Sequence, residues 1–263
     1  GVMLGLNGSQ NPFSGTPTYR SIEHLPLDQR VEAMSQPNIR AKILSEDPVK
    51  QSTFPLIHRI LFTQMFRLGS PANYTPSPEE SISAMAENLG VTPQEMAYDI
   101  LLENQGRGFI YAPLVNYANY TMDACAEMLD DPYSIMGLGD GGAHVGFILD
   151  AGYPTWLISY WNQKQKRYSV EETVRRLTSD TAKAVGLFDR GRIAVGLKAD
   201  FNVIDWSSVR AGDPYLISDL PAGGSRLMQE VFGYKATILS GEVTYRDGVA
   251  TGATPGKLVR SHA

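Results

Sequence analysis

Gly108-Phe109-Ile110-Tyr111-Ala112-Pro113-Leu114-Val115 reads as a strand, and Ser134-Ile135-Met136-Gly137-Leu138 reads as a second one. Between them, residues of about 120–129 place Met122, Cys125 and Leu129 on one side of a helix. Strand, helix and strand together have the ~30-residue length of a βαβ unit. The second strand runs into Gly139-Asp140-Gly141-Gly142-Ala143-His144. In open α/β sheets ligands bind beyond the carboxyl ends of the strands, and in a β/α barrel the same end carries the chemistry. This stretch therefore predicts an α/β fold with Asp140 and His144 at its working end.

Toward the amino terminus, residues 1–6 read as a short buried strand entering a polar loop, Asn7-Gly8-Ser9-Gln10-Asn11-Pro12. From about 26 to 46 the period is helical. Leu27, Val31 and Met34 share one face, Pro37 divides the stretch, and Ile39, Ile43 and Leu44 share the next. Residues 54–70 are apolar and aromatic without a clean period. Ser77-Pro78-Glu79-Glu80 and Thr92-Pro93-Gln94-Glu95 both fit the capping box, each with Pro at the first helical position. They predict helices ending near Gly90 and Asn104, the second burying Met96, Ala97, Ile100 and Leu101.

Toward the carboxyl terminus comes an aromatic group, Tyr153, Trp156, Tyr160 and Trp161, which fits core packing better than a binding cage. Ser169-Val170-Glu171-Glu172 caps a further helix with Val170, Val174 and Leu177 as its buried stripe. From about 190 the period changes to alternation. Arg192 to Val195 and Ala199 to Asp205 read as strands, and Lys235 to Leu239, Ser240-Gly241 and Glu242 to Arg246 read as a hairpin. The expected organisation is a partial β/α barrel over 1–187, β-sandwich strands over 188–250 and a tail over 251–263. No internal repeat or low-complexity tract interrupts it.

Composition bounds the function. The chain has 263 residues, 43% hydrophobic and 19% charged, as in an ordinary globular protein. A net charge of -5 without a basic block removes the electrostatic footprint of a nucleic-acid binder. No apolar run reaches the ~18 residues of a membrane span, and no secretory signal opens the chain, so a cytoplasmic setting is expected. A single cysteine, Cys125, excludes an internal disulfide and a thiolate zinc finger. The four histidines, His24, His58, His144 and His262, include no His-x-His or His-x-x-x-His pair. A site built from several histidines cannot assemble from this chain alone.

Asp140 is the first candidate for chemistry. Glycines at 137, 139, 141 and 142 let the backbone around it turn sharply and approach a ligand. It can serve as a general base or metal ligand, or it can make an Asx-turn in a Gly-rich loop. His144 can polarise a carbonyl or orient Asp140, or it can cap the next element. Cys125 fits core packing. Gly139-x-Gly141-Gly142 is no dinucleotide fingerprint, and no Gly-x-Ser-x-Gly elbow occurs.

Several of these stretches carry a family resemblance. Residues 191–205, Gly-Arg-Ile-Ala-Val-Gly-Leu-Lys-Ala-Asp-Phe-Asn-Val-Ile-Asp, resemble the closing strands of the amidohydrolase superfamily. Asp219-Leu220-Pro221-Ala222-Gly223-Gly224, Gly233-Tyr234 and Thr251-Gly252-Ala253-Thr254-Pro255-Gly256 resemble the tail of its N-acyl-D-amino-acid deacylase (D-aminoacylase) branch. The segment from Gly139 to His144 resembles that branch's Ser-Asp-Gly-Gly-Ala-His, and Asn11-Pro12-Phe13 extends the likeness toward the start.

The resemblance implies a TIM-like barrel and a zinc-dependent hydrolase of amide bonds, acting on small N-acyl amino acids. Zinc would polarise the carbonyl and lower the pKa of its bound water toward ~7. Asp140 matches the metal-side carboxylate that moves the water's proton to the leaving amine, and His144 matches a residue on the substrate side. The family's His-x-His, its Cys or Lys ligand and two further barrel histidines have no counterpart here. The chain is therefore expected to be the carboxyl-terminal half of such an enzyme, completed by a missing amino-terminal half or another chain and inactive by itself. Residues of about 8–107 would be an insertion over the pocket that sets specificity. Gly139, where the family has Ser, is expected to loosen the loop or to remove a hydroxyl that orients the Asp. The alternative is a non-catalytic binding or assembly domain derived from an amidohydrolase.

Overall fold

A computed structural model describes residues 1–48, 57, 60–117, 119–137, 139, 142 and 144–259, with the backbone alone at 115. By its internal contacts the chain divides into two units. The first comprises Gly1–Cys125, Gly141–Leu149 and Pro214–Met228, and the second Ala126–Asp140, Asp150–Asp213 and Gln229–Ala263. The boundary at 188 suggested by the change of period falls inside the second unit.

In the first unit, strand β1 (Val2–Leu4) is followed by helices α1 (Pro17–Ile22), α2 (Leu27–Met34) and α3 (Pro37–Ser45). Thr16 caps α1 by accepting from the Tyr19 backbone N–H, and Pro37 opens α3 at the position where a proline costs no hydrogen bond. Strand β2 (Phe66–Arg67) precedes α4 (Ile82–Leu89) and α5 (Pro93–Gly106), and β3 (Ile110–Ala112) closes the set. The expected helix from Pro78 is divided. Pro78–Glu80 makes a single 3-10 turn, Ser81 is extended at ψ 151°, and its side chain then caps α4. The Thr92–Glu95 capping box forms as expected, with Glu95 Oε2 accepting from Thr92 N at 2.8 Å and Thr92 Oγ1 from Glu95 N at 3.2 Å. Regular helical geometry ends earlier than Asn104. Glu103 is extended, and Asn104 and Gln105 are left-handed at φ 48° and 60°.

The sheet has the order β1-β3-β2, and both pairs are antiparallel, with Val2 opposite Ala112 and Leu4 opposite Ile110. Leu4, Leu6, Ile110, Ile82, Ala97, Tyr98 and Leu101 form its core with Met34 and Ile43, all fully buried. The Tyr98 hydroxyl reaches across that core and donates to the Met34 carbonyl at 2.8 Å. Much of this core comes from residues 8–107, which pack with β1 and β3 in one buried cluster.

Helix α6 (Asp123–Asp130) agrees with the helix expected over 120–129. The second strand of the expected βαβ unit does not form among the described residues: 134–137 have no ladder partner. Tyr133 and Ile135 are exposed there, and the Ser134 amide and hydroxyl both donate to the Asp131 carbonyl. An apolar run makes a strand only where a neighbouring strand takes up its N–H and C=O groups, and among the described residues none pairs with this segment. The mixed α/β class read from the sequence holds.

In the second unit, α7 (Tyr153–Trp156) runs directly into a π-helix, Leu157–Lys164. Tyr160 and Trp161 are buried, as core packing requires, and the half-buried Trp156 stacks on Tyr160 at 4.5 Å. Helix α8 (Val170–Leu177) is capped by Ser169 as predicted and is followed by α9 (Ser179–Ala184). The face that α8 buries is a different one. Val170 and Val174 are exposed, whereas Thr173 is fully buried and donates to the Ser169 carbonyl. Arg176 beside it lies 4.3 Å over the Tyr168 ring.

Strand β4 (Phe201–Ile204) forms, but residues 192–195 do not, and Ile193 and Val195 stand in solvent. Strands β5 (Arg210–Ile217) and β6 (Arg226–Phe232) pair as a two-stranded ribbon. The predicted hairpin is present as β7 (Tyr234–Leu239) and β8 (Glu242–Arg246), with Ser240 and Gly241 both left-handed in its turn, as a two-residue loop between twisted strands demands. With β9 (Val249–Ala250) it completes an antiparallel sheet of order β4-β7-β8-β9.

Candidate functional site

The carboxyl end of β1 is held on two sides. On one, Arg30 from α2 donates through Nη1 to the Leu6 carbonyl at 2.6 Å. On the other lies the segment 144–148. Met3 N donates to the Phe147 carbonyl at 2.8 Å, Ser9 N to the Gly146 carbonyl at 3.2 Å, and Val2 bridges Ile148. The segment after the Gly-rich stretch is thus pinned along β1 as an added edge.

His144 opens that segment. Its backbone is left-handed at φ 47°, which costs a non-glycine residue of order 1–3 kcal/mol. The cost is met by a tight turn, since its carbonyl accepts from Phe147 N at 2.9 Å and from Ile148 N at 3.0 Å. The imidazole is exposed and stacks at 5.2 Å on Phe147, which is itself buried. His144 is therefore presented outward from a rigid base, a geometry suited to contacting a ligand. Asp140, the expected base and metal ligand, lies outside the described residues.

Gly139 is described, and the backbone opposite constrains it. A Cβ at this position would sit 2.5 Å from the Asp150 carbonyl oxygen and 2.9 Å from Ala151 Cα. The chain passes too close for any side chain, so the glycine is required by packing and a serine would have to displace the backbone opposite. Cys125 is half-buried with its Sγ 3.6 Å from the Asn116 carbonyl, and burial pushes its thiol pKa up. An activated thiolate needs the opposite shift.

Among the described residues no three His, Cys, Asp or Glu side chains gather where one ion could be held. The described donor set does not fit a zinc centre. No described helix is long and apolar enough to cross a membrane.

A cavity of about 220 Å³ in the first unit was not anticipated from the sequence. It lies at the end of β1 and is lined by Ser9, Asn11, Ser14, Tyr19, Glu23 and Arg30 among others. Asn11 and Tyr19 are buried there. Asn11 Oδ1 accepts from Phe13 N at 2.9 Å, and Ser14 Oγ accepts from Asn11 N at 2.8 Å, so the Asn-Pro-Phe stretch is a folded turn. That motif was the one signal available for the cavity. Arg30 stands in an amphipathic helix, where an arginine ordinarily means a solvated face.

The amidohydrolase family model matches residues 2–245. Three solved D-aminoacylase structures are similar. One, described as defining a novel subset of amidohydrolases, is 20% identical with a TM-score of 0.40, over 74% of this chain and 37% of that one. Another, solved to address the role of a binuclear metal centre, is 18% identical at 0.38, over 86% and 44%. A point mutant in complex with copper(II) chloride is 19% identical at 0.37, over 68% and 34%. This chain spans less than half the length of each. No protein of curated function matches it. With a match that runs over nearly its whole length, the chain belongs to the amidohydrolase family.

Proposed function

We propose that this chain is the carboxyl-terminal portion of a zinc-dependent hydrolase that cleaves the amide bond of N-acyl-D-amino acids. The observation that carries the reading is the amidohydrolase match over residues 2–245, which includes the whole segment from Gly139 to His144. Asp140 is the general base: it takes a proton from the attacking water and returns it to the leaving amine, one carboxylate serving both halves of the reaction. It is also the one metal-side carboxylate that this chain contributes. His144, exposed on its Phe147 base, faces the substrate. The main zinc ligands are assigned to residues outside this sequence, and the working enzyme to a cytoplasmic assembly of the two parts.

The test is hydrolysis of N-acetyl-D-amino acids by the assembled enzyme with and without Asp140→Asn. Loss of about 10²–10⁴ in kcat with the fold retained is expected for removal of a general base. Unchanged turnover would remove Asp140 from the mechanism. Elemental analysis of the dialysed 263-residue chain is expected to find well under one zinc per chain.

A further inference from the structure

We propose that the cavity at the end of β1 binds the carboxylate of a small organic acid, with Arg30 as its counter-charge. Arg30 is half-buried, and every partner it has is neutral. Nη1 donates to the Leu6 carbonyl at 2.6 Å and to the Tyr19 hydroxyl at 3.3 Å, and Nη2 to the Leu25 carbonyl at 2.8 Å. Its Nε is buried without an acceptor. Among the described residues no carboxylate pairs with it. Glu23, also on the cavity wall, lies instead 4.0 Å from Arg20. Cations drawn out of water are ordinarily paired, because an uncompensated charge in a low-dielectric setting is costly. A fixed guanidinium with neutral partners at the wall of a polar cavity of about 220 Å³ is a site awaiting an anion.

The surroundings narrow the anion. The three backbone and hydroxyl bonds take both Nη1 hydrogens and one on Nη2 and hold the guanidinium in place, so the second Nη2 hydrogen is left for one carboxylate oxygen in a charge-assisted bond. Ser9 and Ser14 add hydroxyls on the same wall. Glu23 adds a negative charge at the rim, which weighs against a multiply charged anion such as phosphate and favours a monoanion. Burial raises the Tyr19 phenol above its ordinary pKa, so that group remains a neutral hydroxyl. The choice of acid rests on the proposed function, in which both the N-acyl amino acid and the amino acid it releases carry one carboxylate.

Calorimetric titration of the 263-residue chain tests this with N-acetyl-D-alanine, D-alanine and N-acetyl-D-alanine amide. Saturable binding of an acid, with none of the uncharged amide, is expected. Tighter binding of N-acetyl-D-alanine identifies the site with substrate, and tighter binding of D-alanine identifies it with product. Ser14→Asp keeps an acceptor for Asn11 N while placing a carboxylate in the cavity, and it is expected to weaken acid binding about tenfold or more. Arg30→Lys, which keeps the charge but not the planar fork, is the second variant and should weaken it by less. Equal binding of acid and amide, no binding of either acid, or unaltered affinity in both variants would overturn the proposal. Acid-selective binding in an enzyme that hydrolyses no N-acyl-D-amino acid would leave the pocket standing and remove the proposed reaction. Hydrolysis without acid-selective binding would do the reverse.

Discussion

The two units differ in how far they bury their apolar residues. In the first, Leu4, Leu6, Ile82, Ala97, Tyr98, Leu101 and Ile110 are sealed between a three-stranded sheet and the helices that cover it. In the second, Leu157, Ile158, Tyr160 and Trp161 are buried, but Ile193 is 86% exposed and Val195 fully so, and Val170, Val174, Phe188 and Val249 also face solvent. The difference teaches that a hydrophobic period is a demand for a partner surface. It becomes structure only where the fold supplies one.

That contrast can be broken or sharpened by mutation, and the largest effect belongs to the first unit. Leu4→Ala removes a fully buried side chain of β1 from the first core and should cost about 2–5 kcal/mol in a denaturant melt. A loss as small as that of a surface change would mean that the first core is no better packed than the second unit. Next, Gly139→Ser should destabilise by about 1–3 kcal/mol, because its Cβ would meet the Asp150 carbonyl at 2.5 Å. A neutral result would show that the backbone there yields freely. Thr92→Ala removes the cap of α5 and should cost about 1 kcal/mol, read as a lower Tm.

A pH experiment probes the same core. Burial pushes the Tyr98 phenol up to about 12, against the opposing pull of Arg40, so the unfolded chain gives up that proton first. The stabilisation is whole below about pH 10, the ordinary tyrosine value, and is lost as the pH rises toward 12. Between pH 9 and 12, Tm should fall more steeply in the wild type than in Tyr98→Phe. Equal slopes would place that phenol in contact with water. The smallest effect is expected in the second unit, where Val195→Ser should change stability by no more than about 0.5 kcal/mol.

Local signals were legible wherever the chemistry that makes them is local. Thr92 with Glu95, Ser169 with Glu172, and Pro37 at the head of α3 each satisfy or spare backbone groups within a few residues, and each stands where the sequence placed it. The turn at Ser240-Gly241 is of the same kind. The misread elements all depend on distant neighbours. The apolar run at 134–137 has no strand paired with it among the described residues, α8 turns Thr173 rather than its valines inward, and Gly139 is fixed by the backbone at 150–151. The cavity at Arg30 falls in this second group, since its walls come from the loop after β1 and from α2.

The sequence alone determined the starts of α3, α5 and α8, the hairpin turn at Ser240-Gly241, the α/β class and the resemblance that the amidohydrolase match bears out. These are carried by caps, turn residues and motifs whose physics acts over one to four residues. Only the tertiary structure decided which apolar face each element buries, that β1 and β3 run antiparallel, and that 144–148 is pinned beside β1 so that His144 points outward. It also decided that Arg30 meets only neutral partners at a polar cavity. Burial and charge pairing are properties of surfaces brought together from far along the chain, and their register is not written in any one segment.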